Sequence, residues 1–344
     1  MKTEVGAAGR TKIPLVLLDV LRERHGSSAL EMYSALGPAM FLAVATGPAD
    51  AIVPDLSLAR VNAWLTVLPC PVIALTPGSD HTLPSLSCDL VVSSPAELAA
   101  VVERIRRAPL AAAVLVQTLR LTKLLPIAEA LTVESLAYAT VQSGPEFASW
   151  LARQKRPDRP QSEGLAVLID RRDSRLDIRL NRPATRNALS IEMRDSLCEA
   201  LRLAVDDDSI QNVTIAGEGR CFSVGGDLGE FGTAPDSATA HAVRMTQSPP
   251  RLIAECADRM EFRLHGACVG AGVELAAFGR RVLADRRTFF QLPELGFGLI
   301  PGAGGCVGIP RRIGLQRTAY LALSGKRVSA VTALRWGLID ALID

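Results

Sequence analysis

Two glutamates stand where a carboxylate is costly to bury. Glu274 follows Gly270-Ala271-Gly272 in the stretch HGACVGAGVELAAFG, and Glu294 opens the glycine-dense run ELGFGLIPGAGG. A charged acid in an apolar, glycine-rich setting needs a partner or a chemical task. Gly270-Ala271-Gly272 reads as a tight turn into a helix beginning near Val273. Such a turn presents free backbone N–H groups at the positive end of a helix, where they can hold a phosphate or a developing oxyanion. Glu274 then falls in the first helical turn. A second turn lies in GEGRCFSVGGDLG, residues 217–229, where Gly225 and Gly226 precede Asp227 after the strand pattern Val213-Thr214-Ile215-Ala216. Two N–H groups from separate turns would form an oxyanion hole for a carbonyl, and the two glutamates would supply proton transfer. Two carboxylates sharing one water cannot both ionise freely, so one pKa should rise.

The elements that must position these residues follow from periodicity and punctuation. Leu165 to Ile169, a polar turn at Arg171 to Ser174, and Leu176 to Leu180 form a hairpin pattern. NRPATRNALS follows, and Ser190 is placed to cap a helix whose Leu189, Met193, Leu197 and Leu201 recur every four residues. Residues 229–250 are small and polar, a pattern expected of a mobile wall. Upstream, residues 1–12 read as a mobile terminus. Met40 to Ala45 and Pro71 to Leu75 read as buried strands with a helix at Leu56 to Leu68 between them. Residues 95–155 read as four helices, opening at Pro95, Leu110, Ile127 and Pro145. Residues 153–163, RQKRPDRPQSE, form a charged, proline-containing linker. His25 and His81 stand alone and read as solvated or structural. Arg311 and Arg312 read as surface residues, and Arg263 has no evident task.

Five motifs in order make the second half resemble the crotonase superfamily, the enoyl-CoA hydratase/isomerase family. They are NRPATRNALS at 181, GEGRCFSVGGDL at 217, HGACVGAGVELA at 265, FFQLPELGFGLIPGAGG at 289 and LALSGKRVSAVTALRWGLID at 321. The resemblance covers about residues 165–344. It implies an α/β fold with the ββα spiral core of crotonases, a CoA thioester substrate, and no metal or redox cofactor, CoA being part of the substrate. It implies that the amides of Gly226 and Ala271 form the oxyanion hole and that Glu274 and Glu294 are the catalytic acids, Glu294 carrying the main acid/base role and Glu274 a positioning and base role. It further implies Arg186, Ala188, Asp227 and Leu228 as substrate contacts. The family usually has Gly at the position of Ala271, and a backbone donor survives that change unless the turn needs positive φ. The implied reaction is addition of water across the 2,3 double bond of an enoyl-CoA. The alternatives are another crotonase reaction on a CoA thioester (isomerase, hydrolase or dioxygenase-like) or a non-catalytic acyl-CoA-binding subunit. A homo-oligomer, a trimer or dimer of trimers, is implied as well.

The first half has a second resemblance. SSPAELAAVVERIRRAPLAAAVLVQTLRL and ESLAYATVQSGPEFASWLARQKRP look like the helical tail that normally ends a crotonase chain, whereas this chain stops at Asp344 where that tail should begin. The expected organisation is an N-terminal α/β or mostly helical unit over residues 1–160 and a catalytic core over 161–344. The N-terminal unit reads either as a shrunken crotonase-like copy whose helices replace the missing tail or as an unrelated helical extension.

Composition limits the function classes. The chain has 344 residues, 48% of them hydrophobic and 22% charged, with a formal net charge of +2. That balance suits a globular protein and opposes a broad nucleic-acid surface. Its seven cysteines show no paired or His-associated ligand spacing, which reads as small buried hydrophobes in a reducing, cytoplasmic setting. The apolar run IPLVLLDVL at 13–21 is too short to span a membrane and carries no cleavage pattern.

Overall fold

The computed structural model describes residues 2–5, 13–24, 32–47, 52, 54–154 and 164–344. His25 and nearly all of the expected linker lie outside the described residues. Residues 2–5, expected as part of a mobile terminus, instead form a strand.

The N-terminal unit is built on a five-stranded sheet in chain order: β1 (Lys2–Val5), β2 (Ile13–Leu17), β3 (Leu42–Ala45), β4 (Val72–Leu75) and β5 (Leu90–Val92). β1 and β2 pair antiparallel; the remaining neighbours are parallel. Continuous apolar runs suit strands covered on both faces. Here Leu42, Val44, Val72, Ala74 and Val91 turn to one face, with buried residues of α1 (Leu18–Arg24) and α2 (Leu56–Val67). Ala43, Ile73, Leu75, Leu90 and Val92 turn to the other, where they join the main core. The four expected helices are present as α3 (Pro95–Arg107), α4 (Pro109–Thr122), α5 (Ile127–Gln142) and α6 (Pro145–Leu151). Proline at the first turn of three of them omits an N–H that would have no helical partner.

The second half begins with the expected hairpin, β6 (Val167–Arg172) and β7 (Arg175–Leu180), then α7 (Ile191–Asp206), capped by Ser190, whose Oγ accepts from the Met193 amide at 3.1 Å. Next come β8 (Asn212–Gly217), α8 (Ser237–Thr246), α9 (Pro249–Glu255), β9 (Met260–Leu264), β10 (Ala267–Val269), the single-turn α10 (Ala271–Glu274), β11 (Arg281–Asp285) and β12 (Phe289–Gln291). The chain ends with α11 (Gly305–Ser324, broken at Gly314), β13 (Val328–Ser329), α12 (Ala330–Trp336) and β14 (Ala341–Ile343). One sheet has the order β14-β11-β9-β8-β7-β6, and a smaller one β10-β12-β13. The large sheet repeats the plan of the N-terminal one, an antiparallel hairpin followed by parallel strands. The mobile wall expected at 229–250 contains a helix, α8, docked against α5, and the first residues of a second, α9.

The two halves share one apolar core. Residues of α3, α4 and α5 are buried in the same cluster as Ile309, Ala319, Leu321 and Leu323 of α11. Polar ties cross the same surface. Arg104 donates to the Leu323 carbonyl at 3.0 Å, Thr122 Oγ to the Cys306 carbonyl at 2.7 Å, and Gln316 exchanges hydrogen bonds with Leu83 and donates to the Leu86 carbonyl. Arg311, expected on the surface, donates to the carbonyls of Thr122 and Leu125 at the end of α4; Arg312 donates to those of Ala277 and Gly279. Arg312 is thereby drawn partly out of solvent, whereas Arg311 stays exposed, as expected. Among the described residues no helix is long and apolar enough to cross a membrane. A fragment of residues 164–344 would expose the covered face of α11. It is expected to be insoluble or unfolded on expression, and a soluble, catalytically active fragment would contradict this packing.

Candidate active site

The first turn is held by the loop before α7. Asn187, buried and at φ 52°, donates through its side-chain amide to the carbonyls of Glu218, Cys221 and Phe222 at 2.9, 3.1 and 3.0 Å, and accepts from the Arg182 amide at 2.8 Å. Ser223 Oγ donates to the Asn187 carbonyl at 2.7 Å and accepts from the Gly225 amide at 3.1 Å. The Gly225 carbonyl takes the Leu189 amide and Asp227 returns a bond to the Leu189 carbonyl, so Gly226 between them is fixed while its own N–H has no protein acceptor among the described residues.

The second turn meets the first edge to edge. A Cβ at Gly225 (φ +87°) would lie 2.7 Å from the Val269 carbonyl oxygen and 3.4 Å from the Ala271 nitrogen. Gly270, at φ +51°, makes the sharp reversal, and α10 begins at Ala271 rather than near Val273. Ala271 is the first helical residue, its N–H has no acceptor among the described residues, and it has no positive φ. The backbone strain falls on Gly270, so alanine is tolerated beside it.

Both glutamates reach this point. A Cβ on Gly270 would come within 2.7 Å of Glu294 Oε1 and 3.8 Å of Glu274 Oε1. Glu274, 2% exposed, accepts through Oε2 from the amides of Ala303 and Gly305 at 2.8 and 3.0 Å. Burial lifts its pKa to about 7, against those amide bonds, which favour the anion. Glu294 starts a 3-10 turn, Glu294–Phe297, and its Oε2 is buried without a partner among the described residues. Burial, and then the Glu274 charge, push its pKa well above the usual carboxylate range. Both carboxyls are thus held above the usual range, and the amide bonds to Glu274 favour its anion.

A third acid completes the cluster, and sequence reasoning missed it. Glu134 of α5 is 2% exposed and accepts from the amides of Gly304 and Cys306, both at 2.7 Å. Burial first, and the neighbouring Glu274 second, raise its pKa. Four consecutive amides at the start of α11 are thus shared by two carboxylates, the arrangement expected where a helix presents unpaired donors. The signal in the sequence was a glutamate on the apolar face of α5 beside Ala130 and Leu131.

The two turns, with Glu274 and Glu294, open onto a cavity of about 570 Å³. Gly226, Asp227, Ala271, Glu274 and Glu294 line one side; Tyr138 and Gln142 of α5 and Arg244 of α8 line another. Asp227 braces its loop by accepting from the Gly229 amide at 2.8 Å. Leu228 is 45% exposed and does not line the cavity, nor does Arg186, which is exposed at φ 56°. Ala188 is half-buried, next to the lining residue Leu189. His265 bonds the Gly219 carbonyl and His81 stacks on Tyr320 at 3.7 Å, both structural roles. Arg263 pairs with Glu261 at 2.8 Å on the surface. The seven cysteines are buried and unpaired, and no described group of three or more His, Cys, Asp or Glu is arranged to hold a metal ion.

A family model for enoyl-CoA hydratase/isomerase matches residues 170–344. The chain is 34% identical over 177 residues to the 2,3-dehydroadipyl-CoA hydratase of Escherichia coli (strain K12), covering 51% of this chain and 68% of that protein. It is also 34% identical over 174 residues to the 1,2-epoxyphenylacetyl-CoA isomerase of the same organism, covering 49% and 66%. A solved enoyl-CoA hydratase from Thermoplasma volcanium GSS1 is 32% identical, with a TM-score of 0.49 over 53% of this chain and 73% of that one. The chain spans about two thirds of the length of each of the two curated relatives.

Glu134→Ala leaves two buried amides without acceptors and is expected to destabilise the protein by about 2–6 kcal/mol, about 1–3 for each amide, measured by urea unfolding. The raised pKa of Glu274 has its own signature. The folded state binds more protons than the unfolded chain between the ordinary value of 4.5 and about 7. Its contribution to stability is therefore present in full below 4.5 and is lost as pH rises through 7. Glu274→Gln is expected to flatten the fall in urea midpoint across that window; an unchanged slope would contradict the assignment.

Proposed function

We propose that this chain, which belongs to the enoyl-CoA hydratase/isomerase family, hydrates the 2,3 double bond of an enoyl-CoA thioester. One observation carries this reading: two buried carboxyls, both held above the usual range, meet at Gly270, beside two amides that have no acceptor of their own among the described residues. The thioester oxygen takes the N–H groups of Gly226 and Ala271, which stabilise the enolate as negative charge develops on it. Glu274, ionised, removes a proton from water as its oxygen attacks the β-carbon. Glu294, protonated, delivers a proton to the α-carbon. One water is consumed, and the two acids finish with exchanged protonation states. A proton passing from Glu274 to Glu294 through solvent restores the start. The reaction calls for no metal and no redox cofactor.

Double-bond isomerisation is the second reading, favoured by an equal identity to the isomerase relative. It needs one acid to move a proton between carbons and no attacking water. A panel of CoA thioesters followed by mass spectrometry separates the two, since only hydration adds the mass of a water.

The N-terminal unit, residues 1–160, is read here as a reduced crotonase-like copy serving the core at 161–344. Its sheet repeats the hairpin-then-parallel plan, and α5 brings Tyr138 to the cavity and Glu134 to the amides at the start of α11. The buried free cysteines support a reducing, cytoplasmic setting, and the resemblance supports a trimeric assembly or a dimer of trimers.

Glu294→Gln is expected to lower kcat/KM for crotonyl-CoA by about 10²–10⁴-fold while thioester binding stays within a few-fold. Full hydration by that variant would remove Glu294 from the reaction, and an inert wild-type protein that still binds acyl-CoA would make the chain a binding subunit.

A further inference from the structure

Arg244 is the cation in the cavity that no acid satisfies. It projects from α8 and is held by neutral partners: Nε donates to Ser135 Oγ at 3.0 Å, Nη1 to Gln142 Oε1 at 3.2 Å and Nη2 to the Ser135 carbonyl at 3.4 Å. The guanidinium also lies over the Tyr138 ring, 4.7 Å from its centre. Among the described residues it forms no ion pair. A guanidinium carries five N–H donors, so three bonds leave one hydrogen free on each terminal nitrogen. That pair of parallel donors fits the two oxygens of a carboxylate.

None of the described acids of the cavity pairs with Arg244. Glu274 is held by Ala303 and Gly305, Asp227 accepts from Gly229, and Glu230 accepts from Ile191. Glu134, which feels the Arg244 charge, has both oxygens on the amides of Gly304 and Cys306. A half-buried cation on a mainly apolar wall without a counter-ion is unfavourable unless a ligand provides one. A straight alkyl chain gains nothing from it.

We propose that the acyl group bound in this cavity carries a second, anionic end, a carboxylate, which Arg244 receives as a two-point contact. Gln142 holds the guanidinium in place from α5, and Tyr138 covers one of its faces. The substrate class is thus ω-carboxylated acyl-CoA thioesters rather than simple fatty acyl-CoA. The proposal rests on the acyl-thioester reading of the cavity and not on which reaction follows.

Binding of saturated, unreactive thioesters tests it independently of turnover. Calorimetry on the full-length protein compares adipyl-CoA with hexanoyl-CoA, which have the same number of acyl carbons. Adipyl-CoA is expected to bind about 10–100-fold more tightly. Arg244→Gln is expected to bring the two affinities together, chiefly by weakening adipyl-CoA, while Arg244→Lys retains part of the preference because its charge remains. Equal affinities in the wild-type protein overturn the proposal whether or not either variant folds, as does a preference that survives unchanged in Arg244→Gln. Failure of both ligands to bind overturns the acyl-CoA reading itself, and this proposal with it.

Discussion

The start of α11 holds two carboxylates on four consecutive amides, and the candidate site depends on that sharing. Ala303 and Gly305 go to Glu274; Gly304 and Cys306 go to Glu134. A helix end buried without acceptors is unfavourable, and a single side chain cannot reach four donors pointing in alternating directions. Two acids from opposite sides solve that geometry. They also create an electrostatic problem, because the Glu274 charge raises the cost of ionising Glu134 and Glu294. The outcome is a cluster of buried acids all held above the usual carboxylate range beside the cavity.

Local pattern made much of this visible in advance. The turns around Gly225 and Gly270 declared themselves through glycine in strand-to-helix settings, and the two glutamates beside them through the cost of burying charge. The four N-terminal helices were readable because proline marks several of their starts and apolar residues recur on one face. Glu134, Tyr138 and Arg244 were not readable as site residues. Their task arises only when α5 lies across residues 301–306 and α8 lies across α5, contacts that span 100 residues or more of sequence. Asn187 escaped notice for a related reason: its value lies in three carbonyls of a loop more than 30 residues away.

The two misjudged regions share one cause. Residues 229–250 looked like a loose wall because they are small and polar, yet tertiary contacts with α5 stabilise α8 there. Arg312 looked like surface charge because arginine usually is, yet the carbonyls of Ala277 and Gly279 drew it inward. In both cases the partner was supplied by a distant segment that composition cannot reveal.

The position of Glu134 in the chain bears on biogenesis. Its acceptor oxygens meet amides 170 and 172 residues further along. At ordinary synthesis speeds of about 5–20 residues per second, that interval lasts roughly 10–35 s on the ribosome. During it α4 and α5 are already made but the helix that covers them is not. Nascent copies therefore present greasy surfaces while translation continues, a window in which chaperone capture competes with tangling between neighbouring chains on one message.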